Sequence, residues 1–339
     1  MQKLCTDYCF MSQNKKQCRT EFKSFLKKLC INREEVILAV SDANRSNTYV
    51  ETINPSIADS LHLDVNKNYP ETITTEFFRF AKPLILKQRF GLVNLIADVT
   101  EEDFYGKKSS LYIHGWTGER GVVGKFRYLV VAVLFRNQIT PFYLAILPIG
   151  AFKAEYLGKA VEYAGSLGLK INCLLLDRGF YSGDIINSLQ MNNANYLIFV
   201  PKNKLMKCML ESVQGDAIIE HEIKYSKDKN LYLAETNIIL VRGAEEYDWV
   251  FASNIFLQDA GKYISLYKKR WSIETMFRVH DEARIKSKSL KPEIRLFYFA
   301  VSMLLLLIWN LYFKTKITFK KFVIENYKQM EQTIEANSR

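Results

Sequence analysis

The sequence predicts an α/β fold: a mixed sheet with helices packed on it. Short apolar runs of strand length stand at 92–97, 129–135, 141–147, 171–176 and 196–200. Stretches with helical spacing alternate with them, most clearly at 152–167 and 183–191. A chain of 339 residues, 48% hydrophobic and 24% charged, also has the size and composition of a folded protein with a substantial core, not of a disordered one.

Residues 1–88 read as helical and basic. Lys15, Lys16, Arg19, Lys23, Lys27 and Lys28 punctuate an apolar pattern of Phe22, Phe25, Leu26 and Leu29. Asn54-Pro55 and Tyr69-Pro70 are helix-entry signals, with proline at the first turn. A small DNA-binding module and a plain helical subdomain both satisfy this pattern, and no specific helix-turn-helix signature separates them. The run at 92–97 is a buried strand that ends in Asp98. The runs at 129–135 and 141–147, joined through Arg136-Asn137-Gln138, form a hairpin. Tyr156, Leu157, Ala160, Val161 and Ala164 share one face of a helix, and Gly168 is its natural stop. The strand at 171–176 also ends in an aspartate, Asp177. Ser182 caps the helix at 183–191, and Pro201 closes the strand at 196–200.

From 205 to 251 polar and apolar residues alternate around turn signals such as Asp228-Lys229-Asn230, the texture of an antiparallel insertion. A strand returns at 249–252, and one long helix is expected over 259–289. The chain thus divides into a basic helical region (1–88), the first part of a mixed-sheet core (89–204) and a β-rich insertion (205–251). The second part of the core (252–314) and a basic tail (315–339) follow.

A formal charge of +11 favours a polyanionic partner or an acidic membrane surface. Residues 1–12 lack the apolar core and cleavage site of a secretory signal, so a reducing, cytoplasmic setting is expected. Cys5, Cys9, Cys18 and Cys30 lack the paired CxxC spacing of a zinc site. The stretch 296–313 is eighteen residues long and apolar except for Ser302 and Asn310. That is the lower edge of a membrane span, and equally the pattern of a buried core helix, which is the reading adopted.

Two aspartates that end two buried strands occupy the position where ligand crevices form in such sheets, and their oxygens suit hard cations such as Mg²⁺. The predicted long helix adds a third acid. At 100° per residue, Tyr267, Arg270, Glu274, Arg278 and Asp281 fall in one stripe roughly 80° wide. A solvated helix face accounts for such a stripe as well as a site does. Between Lys262 and Arg295 ten Lys or Arg stand against four acids, a density suited to a phosphate backbone. The only nucleotide-loop candidate, 118–125, misses the phosphate-loop spacing by one residue and has Phe126 where Ser or Thr is needed, so no nucleotide cofactor is expected.

With these residues in view, the sequence resembles the DDE transposases of the insertion-sequence-four (IS-four) family. Their C-terminal signature is Tyr, Arg three residues on, Glu four further and Lys seven beyond; Tyr267, Arg270 and Glu274 match, whereas Asp281 stands at the lysine position. The string from Asp177 through Arg178, Gly179, Phe180 and Tyr181 to Ser182 resembles the second-aspartate motif, and the surroundings of Asp98 the first. The likeness runs from about residue 90 to 313. It implies a ribonuclease-H-like fold in which Asp98, Asp177 and Glu274 bind two Mg²⁺ ions, with Mn²⁺ as a substitute, and catalyse cleavage and strand transfer. It further implies DNA contacts from Tyr267 and Arg270, with Arg178, Arg278, Arg284 and Lys286 as further candidates, the last three standing in for the missing lysine. The expected partners are transposon ends and target DNA, with a homodimer in the synaptic complex, no membrane, and a prokaryotic nucleoid location. The alternatives are a metal-dependent nuclease or resolvase on the same fold, a single-span membrane protein, and a decayed element that keeps only the fold.

Overall fold

The computed structural model describes residues 20, 24–29, 35–88, 90–107, 110–115, 118, 120–136, 138–325 and 328. The N-terminal cysteines Cys5, Cys9, Cys18 and Cys30, most of the basic run 15–23, and the end of the tail lie outside them. After a helical stretch at 24–28, four helices lead to the sheet: α1 (Glu35–Arg45), α2 (Val50–Ile53), α3 (Pro55–Val65) and α4 (Pro70–Leu86). Pro55 and Pro70 begin α3 and α4 as expected, and the Asn54 side chain caps α3 by accepting the Ile57 N–H at 3.1 Å.

The sheet has nine strands: β1 (Leu92–Phe104), β2 (His114–Gly115), β3 (Gly124–Phe135), β4 (Gln138–Leu147), β5 (Lys170–Leu176), β6 (Tyr196–Phe199), β7 (Ala217–Lys227), β8 (Asn230–Ala244) and β9 (Tyr247–Ser253). Its order is β2-β3-β1-β5-β6-β9-β8-β7, with β4 paired to β3. β1, β3 and β4 form an antiparallel meander, β5 and β6 run parallel to β1, and β9 joins β6 antiparallel. Between them run α5 (Lys153–Ser166), α6 (Gly183–Met191) and α7 (Lys204–Ser212); α8 (Ala260–Lys268), α9 (Trp271–Asp281) and α10 (Pro292–Tyr312) follow the sheet.

Four expectations need correction. First, β1 does not end at Asp98 but continues to Phe104. Its acidic second half is poor strand sequence, yet it is held by cross-strand charge pairing with β3. Arg127 lies opposite Glu101 and donates to it at 2.9 Å, and Lys125 reaches Glu101 at 3.3 Å and Asp103 at 3.5 Å. Second, the strands of the presumed insertion extend the central sheet through β9–β6 pairing, and a helix, α7, precedes them.

Third, the helix expected over 259–289 is two helices. Around Lys269 and Arg270 the backbone closes i→i+3 bonds, Arg270 N–H to Tyr267 O at 2.8 Å and Ile273 N–H to Arg270 O at 3.0 Å. Fourth, the chain beyond Asp281 leaves the helix because it finds other partners. Val50 N–H donates to Lys286 O at 3.1 Å, and the Glu51 carboxylate accepts the Lys288 N–H at 2.9 Å.

The apolar stretch forms α10, a helix long enough to cross a membrane, and 94% of its apolar window is buried within the fold. Tyr128 of β3 stacks on Phe299 of α10 at 4.1 Å. Phe78 of α4 stacks between Tyr143 of β4 and Tyr163 of α5, at 4.7 and 4.6 Å, so the N-terminal helices share one core with the sheet.

Candidate active site

Strand register places the first two acids. The parallel pairing of β1 with β5 ends at Ala97↔Leu176, so Asp98 and Asp177 are the next residues on neighbouring strands. There the paths diverge. Asp98 stays in the sheet opposite Val130, and its Oδ1 accepts the Val99 N–H at 2.8 Å. Asp177 leaves the sheet as the cap of a single 3-10 turn, Arg178–Phe180, with its Oδ1 accepting the Gly179 N–H at 2.9 Å.

The third acid arrives through an arginine. Arg270 sits between α8 and α9 with its side chain only 8% exposed. One of its terminal nitrogens donates to Asp98 Oδ2 at 3.1 Å, and the other donates to Glu274 Oε1, one helical turn on. Its guanidinium lies 5.7 Å from the Tyr267 ring centre, while its buried Nε has no hydrogen-bond partner. Burial works against this charge, yet Tyr267, Asp98 and Glu274 together hold the Arg270 pKa above its ordinary value. Burial pushes the Asp98 carboxyl up to about 6; Arg270 opposes that shift, and nearby Asp177 and Glu274 add to it. Asp98, Asp177, Tyr267, Arg270 and Glu274 therefore form one electrostatic unit.

The other expected contacts divide. Arg178 and Arg278 are exposed. Tyr267 is buried, packed on Phe199 at 5.4 Å and Phe251 at 5.3 Å, and burial raises its pKa. Lys286 is half-buried, and its carbonyl is tied to α2.

Arg284 is not an open DNA contact in this conformation. It lies 3.4 Å from Glu102, donates to Glu101 O at 3.2 Å, and reaches Asp281 at 3.6 Å. Arg295 binds the same Glu102 at 2.8 Å and the Tyr128 hydroxyl donates to it at 2.7 Å, a buried ionic cluster behind the site. Asp281 belongs to this cluster, with His280 Nδ1 at 3.3 Å. A lysine at 281 would set a second cation against Arg284.

One neighbour escaped sequence reasoning. Lys153, the first residue of α5, donates to Gly179 O at 2.8 Å and lies 5.0 Å from the Phe180 ring centre. Burial lowers its pKa, while Asp177 and Asp98 work the other way. It stands 24 residues before Asp177, and no spacing in the sequence announces it.

The carboxylates of Asp98 and Glu274, both on the Arg270 guanidinium, and of Asp177 on the neighbouring strand are oxygen donors of the kind a hard divalent ion takes. Among the described residues no three acids, histidines or cysteines stand close enough together to hold one as placed, and Arg270 is paired with both Asp98 and Glu274. The donor chemistry fits; the present arrangement spends it on a guanidinium.

Residues 161–311 match the family model described as "Transposase DDE domain". The match is to a domain of DNA transposases. It takes in Asp177, Tyr267, Arg270 and Glu274, and Asp98 lies before it. Among solved structures the chain is similar to a piggyBac transposase, seen in a synaptic complex with hairpin DNA. The likeness has a TM-score of 0.54 at 13% identity and covers 91% of this chain and 70% of that one. At that identity it shows the fold, a transposase sheet of the ribonuclease-H-like kind. No curated protein matches the chain. Domain match and site together support a DNA transposase of the DDE type, a class that works with divalent metal ions and DNA.

Proposed function

We propose that this chain is a DDE transposase of the IS-four kind, with Asp98, Asp177 and Glu274 as its catalytic acids. One observation carries the assignment. The Arg270 guanidinium joins Asp98 and Glu274, residues far apart in sequence, and Asp98 is the register neighbour of Asp177. Two divalent ions, Mg²⁺ or Mn²⁺, held by these carboxylates would supply Lewis-acid charge and an activated water.

The chain's own residues do the rest. Arg270, freed from the acids, suits a phosphate in bidentate fashion, and the Tyr267 ring on which it rests sets its approach. The exposed Arg178 and Arg278 offer charge to the flanking backbone. Lys153, held by its bond to Gly179 O, adds a cation near Asp177. The reaction is hydrolysis at the transposon end, followed by attack of the freed 3′-hydroxyl on a target phosphodiester. One ester is exchanged for another, so the second step needs no nucleotide. Synapsis of two ends calls for a homodimer on DNA in the prokaryotic nucleoid.

The test is strand transfer. A labelled duplex that ends in a pre-cleaved 3′-hydroxyl is incubated with plasmid, protein and Mg²⁺. Covalent joining of label to plasmid is expected. Nicking without joining would make the chain a nuclease of the same fold.

A further inference from the structure

We infer that Arg270 is a gate on the metal site: in the DNA-free protein it is the counter-ion of the catalytic carboxylates, so that metal loading is coupled to its release. This rests on the proposed catalytic role of the acids and goes beyond it, because it assigns to the arginine a function before any DNA is bound.

Four features argue for it. The guanidinium binds Asp98 and Glu274 at once, the two acids that come from different elements and that a shared ion would have to bridge. As long as it does so, those oxygens are occupied, and no three ligands among the described residues converge on one point. The side chain is buried and its Nε unpartnered, so the bound position leaves one donor unsatisfied. Arg270 also lies where two helices meet through i→i+3 bonds, and Glu274, at the far end of its ion pair, is exposed.

The physical consequence is linkage. A cation and a guanidinium that compete for the same oxygens each weaken the other, and anything that draws Arg270 away, such as a DNA phosphate, strengthens metal binding by the same factor. The device keeps the acids neutralised, and the nuclease inactive, until DNA is in place.

The experiment measures Mn²⁺ binding by electron paramagnetic resonance on the full chain without DNA at pH 7.5. It compares the wild type, Asp98→Asn, Arg270→Ala, Arg270→Gln and Arg270→Gln combined with Asp98→Asn, each checked for fold by circular dichroism. Glutamine keeps a polar side chain in the buried position should alanine fail to fold. Arg270→Gln is expected to bind Mn²⁺ at least tenfold more tightly than the wild type, and the added Asp98→Asn to abolish the gain. Equal or weaker Mn²⁺ binding by a folded Arg270→Gln, while the wild type binds in an Asp98-dependent way, would overturn the gate and leave the catalytic assignment standing. Mn²⁺ binding in none of the variants would overturn both.

Discussion

Arg270 illustrates how a residue changes meaning with its surroundings. By spacing it is one cation on a charged stripe; in the fold it is the buried link between two acids. Glu102 makes the same point behind the site. Burial alone would raise its pKa, but Arg284, Arg295 and the Tyr128 hydrogen bond outweigh burial and hold it below the ordinary value. A folded pKa below the unfolded one means that Glu102 stabilises the protein above the ordinary glutamate range, and that this contribution is lost as pH falls through the folded value. Glu102→Gln should therefore cost about 3–5 kcal/mol near pH 7, since it strands two buried guanidiniums. The gap to wild type should narrow below about pH 4, as urea titrations at the two pH values would show. Arg278, exposed on α9, carries a different expectation. Arg278→Glu should weaken binding to duplex DNA and lower the slope of log K against log salt by about one or more; an unchanged slope would remove it from the interface.

At the scale of elements, the apolar strand segments that lead into Asp98 and Asp177 were legible because apolar runs of that length announce themselves. The acidic half of β1 was not, since Thr100 through Asp103 lack the apolar residues of a buried strand and are held by Lys125 and Arg127 across from them. Helix α7 could have been found: Asn203 caps it by accepting the Met206 N–H at 3.0 Å, and Met206 and Leu210 bury one face at i,i+4 spacing. The break between α8 and α9 had no sequence signal, because neither Gly nor Pro marks it. The β7–β8 hairpin depends on its seat against α6. A Cβ at Gly183 would come within 2.4 Å of the Tyr225 ring, which stacks on Tyr232. Gly183→Ala should thus cost about 1–3 kcal/mol in thermal or chemical denaturation; a neutral result would mean that the hairpin shifts freely.

For the whole molecule, one core joins the N-terminal helices, the sheet and α10. The sequence fits both a bilayer span and a core helix at α10, and the core helix was the reading adopted; its burial on all sides accounts for its uniform hydrophobicity. Leu304→Ala, at a fully buried position, should cost about 2–5 kcal/mol, and carbonate extraction should leave the wild-type protein in the supernatant. The proposed acids stand in the sequence within three motifs in order, but Lys153 and the bridging of Arg270 arise only once the sheet has folded. The most direct test of the account is Mg²⁺-dependent nicking of plasmid by Asp98→Asn, Asp177→Asn and Glu274→Gln, each beside a DNA-binding assay. If the three acids form one centre, all three variants fall to background while DNA binding persists. Cleavage at the wild-type rate by any one of them would contradict it.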